Sequence, residues 1–179
     1  MRAFLAVPIP EAPVAQLARL QATIPFGRPV PEENLHLTLA FLGEAPAPAL
    51  ADLHDLLGAM RSPAVEIRFT ALDTFTTAER GLVHVAVART AALQALHDRL
   101  ATLCRAAGLD LPRRRFRPHV TLTRANRPPG GTARDRLAAM LGPVPDLPSF
   151  TAREVTLFRS SLTPGGAIHE PLSSYPLGG

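Results

Sequence analysis

The sequence predicts an α+β fold that contains a distant internal duplication. Strand-like and helix-like segments interleave along the 179 residues, and some neighbouring strands are joined by hairpin-length connectors. The pattern His-x-Thr-Leu occurs twice, at His36 and His119, and a predicted helix and loop precede each copy. No linker is rich enough in Gly, Ser or Pro to divide the chain. We therefore expect a single domain, residues 1–179, made of two pseudo-symmetric lobes with one motif in each.

Hydrophobic periodicity places the elements in order. Residues 2–7 read as an apolar strand stopped by prolines, and residues 11–22 carry apolar side chains at helical spacing. A turn-rich connector follows, and then strand, helix, two hairpin strands, helix, strand, helix and a final strand pair. These are expected at residues 35–43, 47–61, 64–76, 81–88, 90–108, 117–125, 131–142, 150–162 and 167–177. Thr90 is the expected N-cap of the helix at 90–108, and Gly108 its stop.

Composition restricts the class of protein. Apolar residues make up 46% of the chain, and no secretory leader or run of about 18 apolar residues is recognisable, so we expect a soluble, cytoplasmic protein. Cys104 is the only cysteine, which rules out an intramolecular disulfide and a cysteine-rich zinc site. Its helical context favours a buried structural residue. All 19 basic residues are arginine, which excludes lysine-nucleophile chemistry and fits either genome composition or phosphate recognition.

The two motifs give their strands one polar and one apolar side. Residues i and i+2 of a strand point the same way, so His36 shares a face with Thr38, and His119 shares a face with Thr121. The opposite faces are predicted to enter the core and carry Leu37, Leu39, Phe41, Val120 and Leu122. If the duplication places the two strands side by side, two imidazoles and two hydroxyls converge on one cleft.

That set of side chains suits a phosphodiester. A neutral histidine can take a proton from water, and a protonated one can give a proton to the leaving oxygen. Threonine hydroxyls can donate to the non-bridging oxygens, and the scheme requires no metal or cofactor. A single His-x-Thr in a strand is usually a surface pair without a role, but two copies with the same apolar face favour function.

Other interpretations of the histidines are weaker. Two histidines leave a zinc site short of ligands, because no Asp, Glu or Cys lies at ligand spacing in either motif. His54 and His97 lie on predicted helices and are expected to be ordinary surface or packing residues. His84 is expected to be a satisfied, partly buried strand residue. His169 has a stronger claim to function, since a C-terminal hairpin could line the cleft.

These segments resemble a known family. The stretches at residues 34–43 and 116–124, with their lead-ins and the terminal segment from residue 153 onward, are similar to the RNA 2′,3′-cyclic phosphodiesterases. These are also called 2′-5′ RNA ligase-like proteins and belong to the 2H phosphoesterase superfamily. The resemblance covers nearly the whole chain. It implies a bilobal, pseudo-two-fold α+β fold in which two mainly antiparallel sheets, flanked by helices, enclose a central cleft.

The resemblance also implies an activity and its residues. The family hydrolyses RNA 2′,3′-cyclic phosphate ends to 2′-phosphates without a metal, and members act by default as monomers. It implies His36 as the acid that protonates the leaving 3′ oxygen and His119 as the base that activates water. Thr38 and Thr121 then contact phosphate oxygens, and Arg124 contacts substrate. Strand alternation would turn Arg124 to the apolar side, so we expect the strand to end or bulge before it.

Two features leave substrate choice open. His169 stands where relatives often carry an aromatic residue, which leaves base preference undecided, although an imidazole can also stack. The arginine-rich segment 113–117 is either a solvated basic loop or a docking lip for RNA 3′ ends. Alternative functions are a 2′-5′ RNA ligase or 2′-5′ phosphodiesterase, and a non-catalytic nucleotide- or RNA-binding module. No membrane partner is expected.

Overall fold

The protein has the α+β class that its sequence predicts. The structure, a computed structural model, describes residues 1–76, 81–112, 115–164 and 166–178. Within them the chain forms eleven strands and four α-helices. The strands are β1 (Arg2–Pro8), β2 (Arg28–Pro29), β3 (His36–Glu44), β4 (Val65–Ile67), β5 (Phe69–Thr76), β6 (Gly81–Val87), β7 (His119–Ala125), β8 (Gly142–Pro143), β9 (Phe150–Ala152), β10 (Glu154–Thr163) and β11 (Gly166–Pro176). The helices are α1 (Glu11–Thr23), α2 (Ala47–Gly58), α3 (Ala91–Ala106) and α4 (Gly131–Met140).

The two motif strands lie at the centre of the larger of two antiparallel sheets. Its order is β11-β10-β1-β3-β7-β6-β5-β8, with β2 also paired to β7, and β4 and β9 form a separate two-stranded sheet. Strands β3 and β7 pair at Leu37 and Val120. Strand β2 pairs with the later part of β7, at Thr123 and Arg124. The element order β1-α1-β3 recurs as β6-α3-β7, and the division into two pseudo-symmetric lobes stays a prediction.

Each helix that precedes one motif strand packs against the other motif strand. Helix α1 lies between β1 and β3 in sequence but contacts β7, and α3 lies between β6 and β7 but contacts β3. Leu17 of α1 and Leu100 of α3 are fully buried in the single large core cluster. Burial of one such leucine is worth about 1.5–3 kcal/mol, so these contacts fix how the motif strands sit relative to each other.

Helix α3 begins and ends where the sequence indicates. The Thr90 side chain accepts a hydrogen bond from the Leu93 backbone N–H at 3.2 Å, which satisfies one of the free donors of the first turn. Gly108 has φ +77°, a left-handed conformation that lets the chain leave the helix. Cys104 on this helix is fully buried, and burial raises the pKa of its thiol to about 11, in keeping with a structural role.

Two strands predicted to be continuous are each divided into two, so those predictions are wrong. In both cases the interruption lies at an arginine. The segment 64–76 divides at Arg68 into β4, which pairs with β9, and β5, which pairs with β6. The Arg68 carbonyl instead accepts from the Ala88 N–H at 2.8 Å. The segment 150–162 divides in the same way at Arg153, whose carbonyl accepts from the Leu177 N–H at 2.7 Å.

Candidate active site

The two motifs open onto one cavity. His36 is the first residue of β3 and His119 the first residue of β7, and both are half-buried. All five site residues expected from the sequence, His36, Thr38, His119, Thr121 and Arg124, line the same cavity of about 430 Å³. The remaining lining residues are Arg28, Pro29, Val30, Pro31, Asn34, Ala125, Asn126, Gly166, Ala167 and His169. The structure therefore brings together residues from β2, β3, β7 and β11.

A β-bulge at the leucine of each motif reverses the alternation of side chains. In β3, Ala6 pairs with Thr38 and Leu5 with Ala40, so Leu39 is an extra residue. This corrects the prediction that Phe41 is a core residue, because Phe41 is 54% exposed while its neighbours Ala40 and Leu42 are buried.

The matching bulge in β7 turns Arg124 toward the cavity. His84 pairs with Thr121 and Val83 with Thr123, so Leu122 is the extra residue. The expected bulge before Arg124 is therefore confirmed. Arg124 and Phe41 stand at the same distance after their motif histidines, and both are turned away from the core by a bulge at the motif leucine.

Each motif histidine is held by the backbone two residues before it. The Nδ1 atom of His36 lies 2.7 Å from the Asn34 carbonyl oxygen, and Nδ1 of His119 lies 2.7 Å from the Arg117 carbonyl oxygen. Because a carbonyl can only accept, Nδ1 carries the hydrogen in both rings and donates it. Nε2 is left in each ring as the nitrogen that can exchange a proton with a ligand.

The site disfavours positive charge on both rings. Burial, followed by the charges of His169, Arg124 and His119, lowers the pKa of His36 to about 4, against the hydrogen bond to Asn34. Burial also lowers the pKa of His119, and the charges of Arg124 and Arg117 act in the same direction. Near neutral pH the two imidazoles are therefore neutral, and each has a lone pair on Nε2.

The charges of the cavity favour an anion, and we call it the anion-binding cavity. Arg124 lies 3.5 Å from the Thr121 hydroxyl through Nη2, and the pairing of β2 with β7 places Arg28 opposite Arg124. Burial lowers the pKa of Arg124, but a guanidinium remains charged at physiological pH. No Asp or Glu occurs among the described residues that line the cavity. The Arg124 guanidinium, in a lining whose described residues include no carboxylate, favours a phosphate-sized anion.

Asn34 connects the first motif to the C-terminal hairpin. Its side-chain amide donates to the Ala167 carbonyl at 2.9 Å, while its own carbonyl accepts from His36. The Gln21 side chain of α1 likewise connects two segments, because it donates to the carbonyls of Val30 and Leu122 at 2.8 and 2.7 Å. Sequence reasoning missed both residues, since an amide in a connector or on a helix has no distinctive pattern.

A second histidine stands beside each motif histidine. The His169 ring lies edge-on to His36 with centroids 5.2 Å apart, and the His84 ring lies edge-on to His119 at 5.0 Å. His169 lines the cavity, as the position of the C-terminal hairpin suggested. His84 is only 2% exposed and its Nδ1 has no hydrogen-bond partner in the described part of the chain, so the expectation of a satisfied histidine was wrong.

The remaining predicted features lie away from the cavity or outside the described residues. His54 contacts the Tyr175 hydroxyl at 2.9 Å, and His97 pairs with Asp98. Arg113 and Arg114 lie outside the described residues, whereas Arg115 and Arg117 are exposed and line a neighbouring cavity. Within the described ranges, no three or more His, Cys, Asp or Glu side chains are arranged to hold a metal ion. In those ranges no helix is long and apolar enough to cross a membrane.

Sequence comparison relates the chain to one family of enzymes. The family model described as the 2′-5′ RNA ligase superfamily matches residues 9–163. A protein of Escherichia coli named RNA 2′,3′-cyclic phosphodiesterase is 32% identical over 98% of this chain and 96% of its own length. One of the same name from Geobacillus stearothermophilus is 30% identical over 97% of this chain, which spans only 56% of that protein.

Solved structures give the same relationship. The apo form of Escherichia coli LigT superposes with a TM-score of 0.78 at 30% identity, covering 98% of this chain and 96% of that one. LigT complexed with 3′-AMP has a TM-score of 0.78 at 28% identity, with 98% and 96% coverage. The TT0787 protein of Thermus thermophilus has a TM-score of 0.79 at 28% identity, covering 100% of this chain and 99% of its own.

Proposed function

Because this chain belongs to the 2′-5′ RNA ligase superfamily, we propose that it hydrolyses RNA 2′,3′-cyclic phosphodiester ends to 2′-phosphomonoesters. The observation that carries the proposal is the pair of motif histidines on one anion-binding cavity, each with Nδ1 committed to a carbonyl and Nε2 left for the substrate. The relatives named RNA 2′,3′-cyclic phosphodiesterase supply the substrate class.

In the proposed reaction, water attacks phosphorus in line with the bond to the 3′ oxygen. Nε2 of His119 takes a proton from the water as its oxygen bonds to phosphorus. The bond from phosphorus to the 3′ oxygen breaks, and protonated Nε2 of His36 gives its proton to that oxygen. The products are a 2′-phosphate and a free 3′-hydroxyl. The assignment of His36 as acid and His119 as base comes from the family resemblance.

The other lining groups would act on the phosphate itself. The hydroxyls of Thr38 and Thr121 donate to non-bridging oxygens, and Arg124 balances the charge that develops on them. A bound phosphodiester would also bring negative charge to a lining whose described residues include no carboxylate. An anion between the rings raises the pKa of the imidazole that must act as acid, so substrate binding and protonation support each other.

We further propose that the reaction needs no metal and that the protein acts as a monomer in the cytoplasm. Two imidazoles and a guanidinium provide the acid, the base and the charge balance that a metal supplies elsewhere. Hydrolysis that persists with excess EDTA would support this, and loss of activity that added divalent metal restores would refute it.

The direct test is hydrolysis of 2′,3′-cyclic AMP by the wild type, His36→Ala and His119→Ala, with the product identified by chromatography. A positioned acid or base contributes about 10²–10⁴-fold in rate, so the turnover rate of each variant should fall by a factor in that range. The circular dichroism spectrum of each variant should match that of the wild type. A 3′-phosphate product, or a variant with full activity, would contradict the mechanism. No turnover by the wild type would favour a nucleotide- or RNA-binding module.

The superfamily description favours a second candidate reaction, ligation through a 2′-5′ bond. If a ribose 5′-hydroxyl replaces water, the same two histidines can join two RNA ends, and by microscopic reversibility they can cleave the product. Incubation of an RNA ending in a cyclic phosphate with a second RNA bearing a 5′-hydroxyl separates the reactions, since only ligation yields a longer strand.

A further inference from the structure

A second cavity is lined by residues that contact His119, among them Phe75, His84 and Arg117. Its volume is about 510 Å³. Five of its lining residues, Phe75, Arg89, Arg115, Phe116 and Arg117, define what we call the basic groove. Asp73, His84, Ala86, Val87 and Pro118 complete the lining. The described lining residues thus include three arginines and one carboxylate, and all three arginines are exposed to solvent.

The basic groove lies beside the motif histidine His119. The Phe75 ring contacts the His119 ring edge-on with centroids 5.1 Å apart. The Arg117 carbonyl accepts the Nδ1–H hydrogen bond of His119, so the residue that fixes the imidazole also lines the groove. The groove therefore lies next to the His119 ring, on the side of Nδ1.

Aromatic and guanidinium surfaces are prearranged along the groove. The Arg117 guanidinium carbon lies 4.3 Å from the Phe75 ring centroid, a cation–π contact. Phe116 is held by stacking on His97, with ring centroids 4.0 Å apart. Arg89 is oriented by a hydrogen bond from Nε to the Gln94 side chain at 2.5 Å. Positive charge interleaved with flat faces is the surface that single-stranded nucleic acid uses, with phosphates on arginine and bases on rings.

The cavity next to His36 has the opposite character. It measures about 260 Å³, and its lining includes Glu11, Glu32 and Glu33, which we call the acidic groove. No arginine occurs among the described residues that line it. A polyanion bound in the anion-binding cavity is therefore attracted by the charges of the basic groove and repelled by those of the acidic groove.

We propose that the RNA chain on the 5′ side of the cyclic phosphate lies in the basic groove, with phosphates at Arg89 and Arg115 and a base on the Phe116–Arg117 surface. This inference rests on the proposed function and extends it to the substrate class. The natural substrate is then an oligonucleotide end, and a free cyclic mononucleotide fills only the anion-binding cavity.

The test compares two substrates, 2′,3′-cyclic AMP and a pentaribonucleotide ending in a 2′,3′-cyclic phosphate. The variant is Arg89→Gln/Arg115→Gln, which leaves the groups in contact with His119 in place. The matched control is Arg19→Gln/Arg153→Gln, which removes the same charge from exposed residues that line neither the anion-binding cavity nor the two grooves.

The wild type should show the higher kcat/KM on the pentanucleotide. The groove variant should lower that value about tenfold or more while lowering the value for cyclic AMP far less, since only the longer substrate reaches the two arginines with its phosphates. The control should match the wild type on both. The dependence of pentanucleotide KM on salt should also weaken, by about 0.7 in the log–log slope for each phosphate that no longer binds an arginine.

Three outcomes would overturn the inference. Equal losses of kcat/KM on both substrates would show that the two arginines do not contact the RNA chain. An equal loss of kcat/KM in the control variant would show that the effect comes from net charge. Tighter pentanucleotide binding by Glu32→Gln/Glu33→Gln, with no effect of the groove variant, would move the chain to the acidic groove. Each leaves cyclic AMP hydrolysis by the wild type intact, whereas failure of the wild type on both substrates removes the proposed function and the inference with it.

Discussion

Leu37 of β3 pairs with Val120 of β7, and this pair sets the geometry of the site. Each residue directly follows a motif histidine, so the antiparallel register sets His36 opposite Thr121 and His119 opposite Thr38. The four side chains share the face turned away from the core. A phosphate bound there meets the imidazole of one motif and the hydroxyl of the other on each of its two sides.

Replacement of either threonine by valine tests this arrangement. Thr38→Val and Thr121→Val keep the shape of the side chain and remove the donor. We expect each to lower kcat/KM by about 1.5–3 kcal/mol, roughly ten- to a hundredfold, because a hydrogen bond to a charged oxygen is lost. Steady-state kinetics on 2′,3′-cyclic AMP measures the loss. A change under twofold in both variants would show that the hydroxyls do not touch the phosphate.

The pH dependence of kcat/KM should have its maximum on the acid side of neutrality. In the proposed mechanism the productive free enzyme carries one proton on the histidine pair, and the pKa values of His36 (about 4) and His119 both lie below 6.5. The maximum falls between the two values, hence below pH 6.5. The maximum of kcat should lie at higher pH, because the bound phosphate raises both pKa values. A kcat/KM maximum above pH 7 would contradict this.

Arg124 should influence both binding and protonation. Its charge helps to lower the pKa of His36 and of His119, so Arg124→Gln should raise both and move the kcat/KM maximum to higher pH. The same variant should raise KM, since phosphate loses a cation. Arg124→Lys is the matched control, because it keeps the charge but not the planar fork, and its pH profile should stay close to that of the wild type. A raised KM with no pH shift in Arg124→Gln would limit Arg124 to binding.

A substrate with sulfur in place of the bridging 3′ oxygen should separate acid from base. A thiolate leaves without a proton, so loss of the acid matters little for this substrate while loss of the base matters fully. We expect His36→Ala to regain most of the rate that it loses on the oxygen substrate, and His119→Ala to remain inactive. Rescue of His119→Ala instead would exchange the two assignments.

His84 should make folding stability depend on pH. Burial lowers its pKa to about 4, below the ordinary value of 6.5. Between these values the unfolded chain binds more protons than the folded one, so stability falls as the pH falls, by about 2 kcal/mol between pH 7 and pH 5. Urea unfolding at both pH values should show this loss in the wild type and a smaller one in His84→Leu. Equal losses in both proteins would show that His84 does not contribute.

Much of the site could be predicted from the sequence because the motif is local. Alternation along a strand places His36 beside Thr38 without knowledge of the rest of the chain, and the repeat indicates that His119 and Thr121 behave alike. The bulge before Arg124 could be expected only from the family resemblance. The bulge that exposes Phe41 was missed, because nothing in an apolar run marks the position of an extra residue.

Long-range pairings escaped the sequence altogether. Arg28 reaches the cavity through β2, a strand of two residues that is too short to show any periodicity. His84 reaches His119 because β6 and β7 are neighbours in register, and the sequence indicates strands but not their partners. Glu32 and Arg115 gain opposite roles only once their positions on either side of the two histidines are known.

Because α1 and α3 each pack against the other motif's strand, the spacing of the two motif histidines is a property of the whole fold. Helix α1 packs on β7 and helix α3 packs on β3. The two motif strands therefore cannot move apart without exposing apolar surface that these helices cover. A fragment that carries one motif would lack the cover for its own central strand and would not be a folding unit. The spacing of the two motif histidines is therefore maintained by the same contacts that keep the chain folded.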